Sequence, residues 1–394
     1  MNGSQTTLAV PRSEADLPAS SLSTEELVGS SSSPSKLKGS VSLPQTISHR
    51  GYKGKFPENT LAAVKGATEA GTDALEIDLH LSRDAQIVLS HVIVILVYSV
   101  KDPTLQRCYG VKKKIGDCDW AYLKTLRTVQ VPHEPMPRLA EILEYINQPE
   151  KEHIWVLLDI KVSSGTAASA ASSPRSKYTR RRPTNSRFHK VTNDPDMIMR
   201  RIAEIISSIP ASSSSGSSRP WHERIVLGFW SGDYIPLRNK YLPNFPMALI
   251  CFDFKYARKF LHVEDLAYNV NQSVLMGPLG WGFLDDVRAA QRQIYLWTVN
   301  APNLMRWGIR HGVDGVITDD PALFRKVCEA WEREHGGRDG ADTAVELRTD
   351  RLSMGQRVKI VLTAVLVVMF GWMIKRRISK RMKSVHRTGG QKGA

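Results

Sequence analysis

Two histidines, an arginine and several carboxylates stand close together in the chain: His49-Arg50-Gly51, Pro57-Glu58-Asn59-Thr60, Glu76-Ile77-Asp78 and Ser90-His91. Each group borders a short apolar run, so each is expected at a strand end or in the loop after it. An imidazole titrates near neutral pH and can move protons. A guanidinium can clamp a phosphate. Carboxylates are the hard oxygen ligands that Mg²⁺ or Ca²⁺ takes. Breaking a phosphodiester needs charge neutralisation, a base for the attacking oxygen and an acid for the leaving oxygen, and these residues can supply all three.

Glu76 and Asp78 are two positions apart in Ala74-Leu-Glu-Ile-Asp-Leu79, so in a strand they share one face while Leu75, Ile77 and Leu79 take the other. Two carboxylates on an inward face repel unless positive charge lies between them. A salt bridge to an inward Lys or Arg would satisfy them; so would one divalent cation, Mg²⁺ or Ca²⁺. Asp159, in Leu157-Leu-Asp-Ile-Lys161, offers a third ligand, with Lys161 positioned for the phosphate, although the same two residues could form a structural ion pair. His49 and His91 are the expected acid and base, with Arg50 beside the phosphorus. Glu58 joins the expected substrate-binding groups. Trp297, in Tyr295-Leu-Trp-Thr-Val-Asn300, offers an apolar wall for a glycerol or acyl portion, or packs in the core. In Thr318-Asp-Asp-Pro321, Asp320 reads as the cap of the next helix.

Placing these groups together requires many short strands. Candidate strands at 46–49, 74–79, 87–90, 154–160, 225–228, 248–251, 273–276, 294–298 and 315–318 alternate with candidate helices at 60–70, 139–147, 196–207, 284–292, 302–310 and 321–334. That alternation predicts an α/β fold, a TIM-type (β/α)8 barrel over residues 45–335. The strands exceed eight by one. Ser82-Arg-Asp-Ala85 reads as a tight turn that would make 87–90 a hairpin excursion.

The 394 residues suffice for one large domain or two ordinary ones, and 42% apolar residues suffice for its core. Four scattered cysteines without a C-x-x-C pair argue for a reducing compartment and against a disulfide framework or a zinc site. The net charge of +15 resides in two segments: 163–190 carries seven Lys/Arg and no acid, and 375–394 carries eight and no acid. The remainder is neutral. Basic runs suit an anionic membrane surface or nucleic acid equally, and the apolar run beside the second one favours the membrane surface as partner. A phospholipid substrate is expected; no protein partner can be inferred.

Residues 1–44 are Ser/Thr/Pro-rich and expected to be disordered, without a secretory signal. Segments 163–190 and 211–219 read as flexible insertions, 336–357 as a linker, 358–375 as a membrane anchor and 376–394 as a basic tail. The anchor's charge-free run, 360–374, has 15 residues. As a helix it spans roughly 22 Å against a hydrocarbon core of roughly 30 Å, a marginal crossing or an embedded segment. The expected location is membrane-associated with the barrel on the cytosolic side, at the endoplasmic reticulum, mitochondrion or lipid droplet.

From Ile47 to Cys328 the His-Arg-Gly, Pro-Glu-Asn-Thr, Glu-x-Asp and strand-final His motifs resemble, in order, those of the glycerophosphodiester phosphodiesterase family. The resemblance implies a TIM-type barrel, a divalent cation and a two-histidine mechanism. A narrower resemblance is to the fungal phosphatidylglycerol phospholipases C. Leu158-Asp-Ile-Lys161, Trp221-His-Glu-Arg-Ile225, Tyr295-Leu-Trp-Thr-Val-Asn300, Ile317-Thr-Asp-Asp-Pro321 and the apolar C-terminal run carry it. It implies cleavage of phosphatidylglycerol to diacylglycerol and glycerol phosphate, in keeping with a headgroup hydroxyl placed to attack its own phosphorus. The alternatives are a glycerophosphodiesterase or lysophospholipase D, and an inactive lipid-binding barrel.

The last alternative arises from a departure. The family has Asp directly after its second histidine; here Val92–Lys101 intervenes, and removing it would join His91 to Asp102-Pro103. This ten-residue apolar insertion could form a lip at the pocket mouth, could disable the site by displacing Asp102, or could be translated intron sequence.

Overall fold

The computed structural model of the chain describes residues 43–91, 93–94, 101–102, 104–161, 194–211, 219–335 and 350–369. The N-terminal segment up to residue 42, the insertions at 163–190 and 212–218, most of the linker and the basic tail lie outside the described residues.

The described residues form eleven strands: β1 (Gln45–His49), β2 (Ala74–Leu81), β3 (Ile87–Leu89), β4 (Ile93–Val94), β5 (Lys101–Asp102), β6 (Trp155–Ile160), β7 (Ile225–Phe229), β8 (Met247–Cys251), β9 (Leu266–Asn271), β10 (Ile294–Trp297) and β11 (Gly315–Thr318). Eight of them run parallel in the order β1-β11-β10-β9-β8-β7-β6-β2, and pairing of β1 with β2 closes the ring. This is the expected TIM-type barrel. β3 is the extra strand: it folds back antiparallel on β2, pairing Leu89 with Leu79 and Ile87 with Leu81. Ser82 and Ala85, the latter at φ 60°, form the turn.

The two-residue period sorts each strand's side chains between two cores. Leu75, Ile77 and Leu79 of β2 and Val156, Leu158 and Ile160 of β6 face outward under the helices. Ile47, Ala74, Trp155, Leu157, Ala248, Ala267, Tyr295 and Ile317 fill the barrel interior. Followed toward their C-terminal ends, the inward rows change character. Ile47 gives way to His49, Ala74 to Glu76 and Asp78, Leu157 to Asp159 and Lys161, and Ala267 to Asn269. An apolar plug therefore closes one end of the barrel and polar groups crowd the other, where (β/α)8 enzymes keep their active sites.

Two expectations are corrected. The strand expected at 273–276 is a helix, Gln272–Met276, capped where Asn271 Oδ1 accepts the Val274 N–H at 3.2 Å. The strand is β9, just before it. Asn269 and Asn271 on its inward face interrupt the apolar run by which a buried strand is read, while Val274 and Leu275 are buried as helical residues. The membrane anchor expected at 358–375 has no support in the fold. Residues 354–369 form a helix seated on the barrel, with Ile360 against Gly277 and Ala364 buried. Among the described residues no helix is long and apolar enough to cross a membrane; 370–375 lie outside them.

The ends of the 92–101 insertion meet each other. β4 and β5 pair antiparallel, with Ile93 opposite Asp102 and Val94 opposite Lys101. The backbone that leaves His91 is thus paired with the backbone that enters Asp102; residues 95–100, on which the lip reading falls, lie outside the described residues.

Candidate active site

Parallel register places the carboxylates. His49 of β1 lies level with Glu76 of β2, and Asp78 lies level with Asp159 of β6. One oxygen from each of Glu76, Asp78 and Asp159 falls within 4.8 Å of the others, and all three residues are buried. Lys161 Nζ is 2.6 Å from Asp78 Oδ1 and also contacts Asp159. Arg50 Nε is 3.1 Å from Asp78 Oδ2, and Asn59 Nδ2 donates to the same oxygen at 2.8 Å. The ion pair foreseen for Asp159 and Lys161 is therefore present inside the cluster.

Burial, then Asp78 and Asp159, push the Glu76 carboxyl well above the usual range. Asp159 is also raised by burial, against the pull of Lys161. Asp78 goes the other way: burial would raise it, but Lys161 and Arg50 hold it well below the usual range. A carboxyl forced toward its protonated form marks a cluster short of positive charge. Three hard oxygen donors with that deficit fit a divalent cation of the Mg²⁺ or Ca²⁺ type.

Arg50 reaches the cluster through a tight corner. It sits at φ 58° and Gly51 at φ 77°, and the Arg50 N–H bonds both the carbonyl and Oε2 of Glu76, at 2.7 and 3.0 Å. A Cβ on Gly51 would lie 2.6 Å from the Ala63 carbonyl carbon, so only glycine lets the helix Leu61–Glu69 pack this close. Asn59, at φ 56°, and Thr60, whose hydroxyl accepts the Ala63 N–H, turn the chain into that helix. Backbone held in the left-handed region by non-glycine residues is costly and clusters at functional sites.

Glu58 lies behind Arg50, outside the pocket lining. It accepts Arg50 Nη1 at 3.0 Å and Arg107 Nη1 at 2.9 Å, bracing both guanidiniums. Burial would raise its carboxyl, but Arg107 and Arg50 hold it at about 2. That depressed value contributes stability that is present above the unfolded value near 4.5 and is lost as pH falls through about 2. Glu58→Gln is accordingly expected to cost roughly 2–3 kcal/mol of unfolding free energy at pH 7. Denaturant titrations of both proteins between pH 7 and 3 should show the gap narrowing as the solution is acidified.

His49 is held from behind. Its Nδ1 is 2.6 Å from Asp319 Oδ1, and Asp319 is in turn held by Lys53 Nζ at 3.2 Å and Asn300 Nδ2 at 2.8 Å. A carboxylate at Nδ1 keeps the proton there and leaves Nε2 as a free base, 4.0 Å from Glu76 Oε2. Burial, then Arg50, lower His49 to about 4, so it is neutral near pH 7. His91 lines the same pocket, and burial lowers it to about 2. Its Nδ1 is buried without a hydrogen-bond partner, while its carbonyl accepts Arg107 Nη2 at 3.2 Å.

The pocket wall is aromatic. Trp230 and Trp297 meet edge to face at 5.8 Å. Trp230 Nε1 donates to Asp159 Oδ1 at 3.0 Å, and Trp297 Nε1 to the Asn269 carbonyl at 3.1 Å. Asn269 is 3% exposed, lines the pocket, and its Oδ1 has no partner.

The pocket thus gathers His49, Arg50, Glu76, His91, Asp159, Lys161 and Trp297, with Asp78 and Glu58 beneath and behind them. Asp319, Arg107, Trp230 and Asn269 were not foreseen. Asp319 stands beside Asp320, which does cap the last helix by accepting the Leu323 N–H at 3.0 Å. Its strand-end position after Ile317 was its signal.

Residues 49–323, more than half of the chain, match the Glycerophosphoryl diester phosphodiesterase family. A human lysophospholipase D is 27% identical over 301 residues, covering 72% of this chain and 85% of its own. A Bacillus altitudinis glycerophosphodiester phosphodiesterase is 22% identical over 298 residues, covering 73% and 99%. Among solved structures, an Oleispira antarctica phosphodiesterase in complex with the product sn-glycerol-3-phosphate superposes with a TM-score of 0.54 at 19% identity, covering 73% of this chain and 97% of that one.

Proposed function

We propose, because this chain belongs to the glycerophosphoryl diester phosphodiesterase family, that it hydrolyses glycerophosphodiesters whose glycerol carries a free hydroxyl beside the phosphoester, namely deacylated phospholipids and lysophospholipids. The observation that carries this reading is the pairing of a neutral, carboxylate-held His49 with the buried triad Glu76, Asp78 and Asp159 in one pocket. The human and bacterial relatives support it by name.

The roles follow from the geometry. His49 Nε2 takes the proton of the neighbouring hydroxyl, whose oxygen attacks phosphorus to close a cyclic phosphate. The P–O bond to the headgroup breaks, and His91 protonates the leaving oxygen. Burial by itself favours its neutral imidazole, and a bound phosphate anion draws the needed proton onto it. Water then opens the cyclic ester, with the two imidazoles exchanging roles. Arg50 and Lys161 neutralise the phosphoryl oxygens. The unpartnered Asn269 side chain offers a hydrogen bond to a glycerol hydroxyl, and the two tryptophans shield the reacting ester. Glu76, Asp78 and Asp159 would hold the divalent cation, which when bound supplies Lewis-acid neutralisation of phosphate charge.

Phospholipase C action on phosphatidylglycerol uses the same atoms. Its headgroup glycerol carries the attacking hydroxyl and diacylglycerol leaves. The aromatic wall suits that larger leaving group, and this is our second reading. Product analysis by mass spectrometry on glycerophosphocholine, lysophosphatidylcholine, phosphatidylglycerol and intact phosphatidylcholine separates the two. Free choline from the first two substrates, with intact phosphatidylcholine untouched, is the expected result. Diacylglycerol from phosphatidylglycerol, with lysolipids left whole, would replace the first reading by the second. Cleavage of intact phosphatidylcholine would remove the neighbouring-hydroxyl requirement altogether.

A further inference from the structure

We infer that the helix 354–369, together with one rim loop beside it and one across the barrel, docks the pocket mouth onto an anionic lipid bilayer. Ten large apolar side chains are strongly exposed among the described residues, and seven belong to this one helix. Six of these, Val358, Val361, Leu362, Val365, Val368 and Met369, follow steps of one, three and four and so form a single stripe. The opposite stripe, with Ile360, Ala364 and Val367, is the one packed on the barrel. The helix is thus amphipathic in reverse: one apolar side is already satisfied by protein and a second is left to water. A contiguous exposed apolar patch of this kind marks a protein or membrane contact.

The patch lies at the catalytic end. Gln356 is hydrogen-bonded to Asn303, in the first turn of the helix after β10, at 2.7 Å, and Ile360 sits on Gly277, just past the helix that follows β9. Both contacts come immediately after strand ends, where the pocket opens. The other three exposed apolar residues are Trp281, in the loop after β9, and Val129 and Val131. The latter loop is tied by the Val129 N–H to the carbonyl of Cys108, next to Arg107, which reaches His91. In the ring, β9 and β2 are separated by three strands either way, so these groups flank the mouth from opposite sides.

Charge selects the occupant. Residues 370–394 follow the helix, and 375–394 carry eight Lys/Arg and no acid; residues 163–190, which follow Lys161 at the pocket, carry seven and no acid. A second copy on this face would bring those cations against their own kind. An anionic lipid surface complements them. The bilayer then meets the apolar stripe, and a lipid headgroup in its plane meets the pocket at high effective concentration. The orientation matters for turnover only if the phosphodiesterase reading above holds; the docking itself does not depend on it.

The test uses the full chain with Val361→Asp/Val365→Asp and, separately, Trp281→Asp. Co-sedimentation with phosphatidylcholine vesicles, with and without phosphatidylglycerol, is measured beside hydrolysis of water-soluble glycerophosphocholine. Wild type is expected on the anionic vesicles, less so at high salt. The double variant should bind at least about tenfold more weakly, with Trp281→Asp in between, while glycerophosphocholine turnover and thermal melting stay unchanged. Vesicle binding equal to wild type in both variants would overturn the proposal. So would a wild type that ignores vesicles and forms a dimer that Val361→Asp/Val365→Asp dissociates. Vesicle binding lost in the variants by a protein that cleaves no glycerophosphodiester would support docking and reject the catalytic reading.

Discussion

His49→Ala is expected to lower kcat on glycerophosphocholine by about a thousandfold while leaving the barrel folded. The expectation rests on what His49 does and does not touch. Its ring hangs from the end of β1 into the pocket, and Asp319 supplies its hydrogen bond, at 2.6 Å. Removing it therefore takes away the base and little packing. The substitution leaves Asp319 with Lys53 and Asn300 as partners, so no buried charge is stranded. KM should change much less than kcat, because Arg50, Lys161 and the aromatic wall still hold the phosphodiester. Since burial and Arg50 lower His49 to about 4, the free base persists as pH falls well below the ordinary histidine range. A drop smaller than about tenfold, measured beside an unchanged circular dichroism spectrum, would move the base elsewhere.

The second large effect separates two neighbouring carboxylates by sign. Glu76 is pushed well above the usual range by burial, then by Asp78 and Asp159. A raised carboxyl subtracts stability once pH exceeds its unfolded value, so Glu76→Gln should melt at or above wild type in the absence of cation. Asp78 is held down by Lys161 and Arg50 against its burial, and it also accepts from Asn59. Its contribution is present above the ordinary Asp range and lost on acidification. Asp78→Asn should therefore cost roughly 3–5 kcal/mol at pH 7, the cost of breaking a buried pair. Adding Mg²⁺ or Ca²⁺ reverses the ranking. At a hundredfold excess over Kd, a cation adds about 2.7 kcal/mol to a protein that binds it. Wild type should gain that amount, and both variants should gain far less and lose catalysis. Thermal melts with and without each cation read both halves. Equal stabilisation of wild type and Glu76→Gln would take Glu76 out of the ligand set.

Much of this was legible because the chemistry is written on strands. Glu76 and Asp78 announce themselves by alternating with Leu75, Ile77 and Leu79, and the ring places them where that alternation says. The turn signal at 82–85 offered 87–90 as a hairpin excursion, and β3 does fold back antiparallel on β2. What escaped is what the chain brings together from far apart. Nothing local to Asp319 says that it will meet His49, 270 residues earlier. Arg107 follows a ten-residue insertion, and nothing local to it says that it will reach Glu58 and the His91 carbonyl across that insertion. β9 was missed because its inward asparagines serve the pocket, so the feature that obscured the strand is the one that makes it functional. The C-terminal apolar run read as an anchor because composition does not say which side of a helix a barrel already covers.

The pairing of β4 with β5 also bears on the rival of an inactive barrel. The insertion leaves and rejoins the backbone at paired residues, and Arg107 still holds the His91 carbonyl beyond it. Catalysis is therefore expected to survive the departure from the family pattern. The most direct test is release of choline from glycerophosphocholine by the purified full-length chain, before and after chelation and with Mg²⁺ or Ca²⁺ restored. Turnover that chelation abolishes and a divalent cation restores is the predicted result. No turnover with any divalent cation, from protein that melts cooperatively, would contradict it.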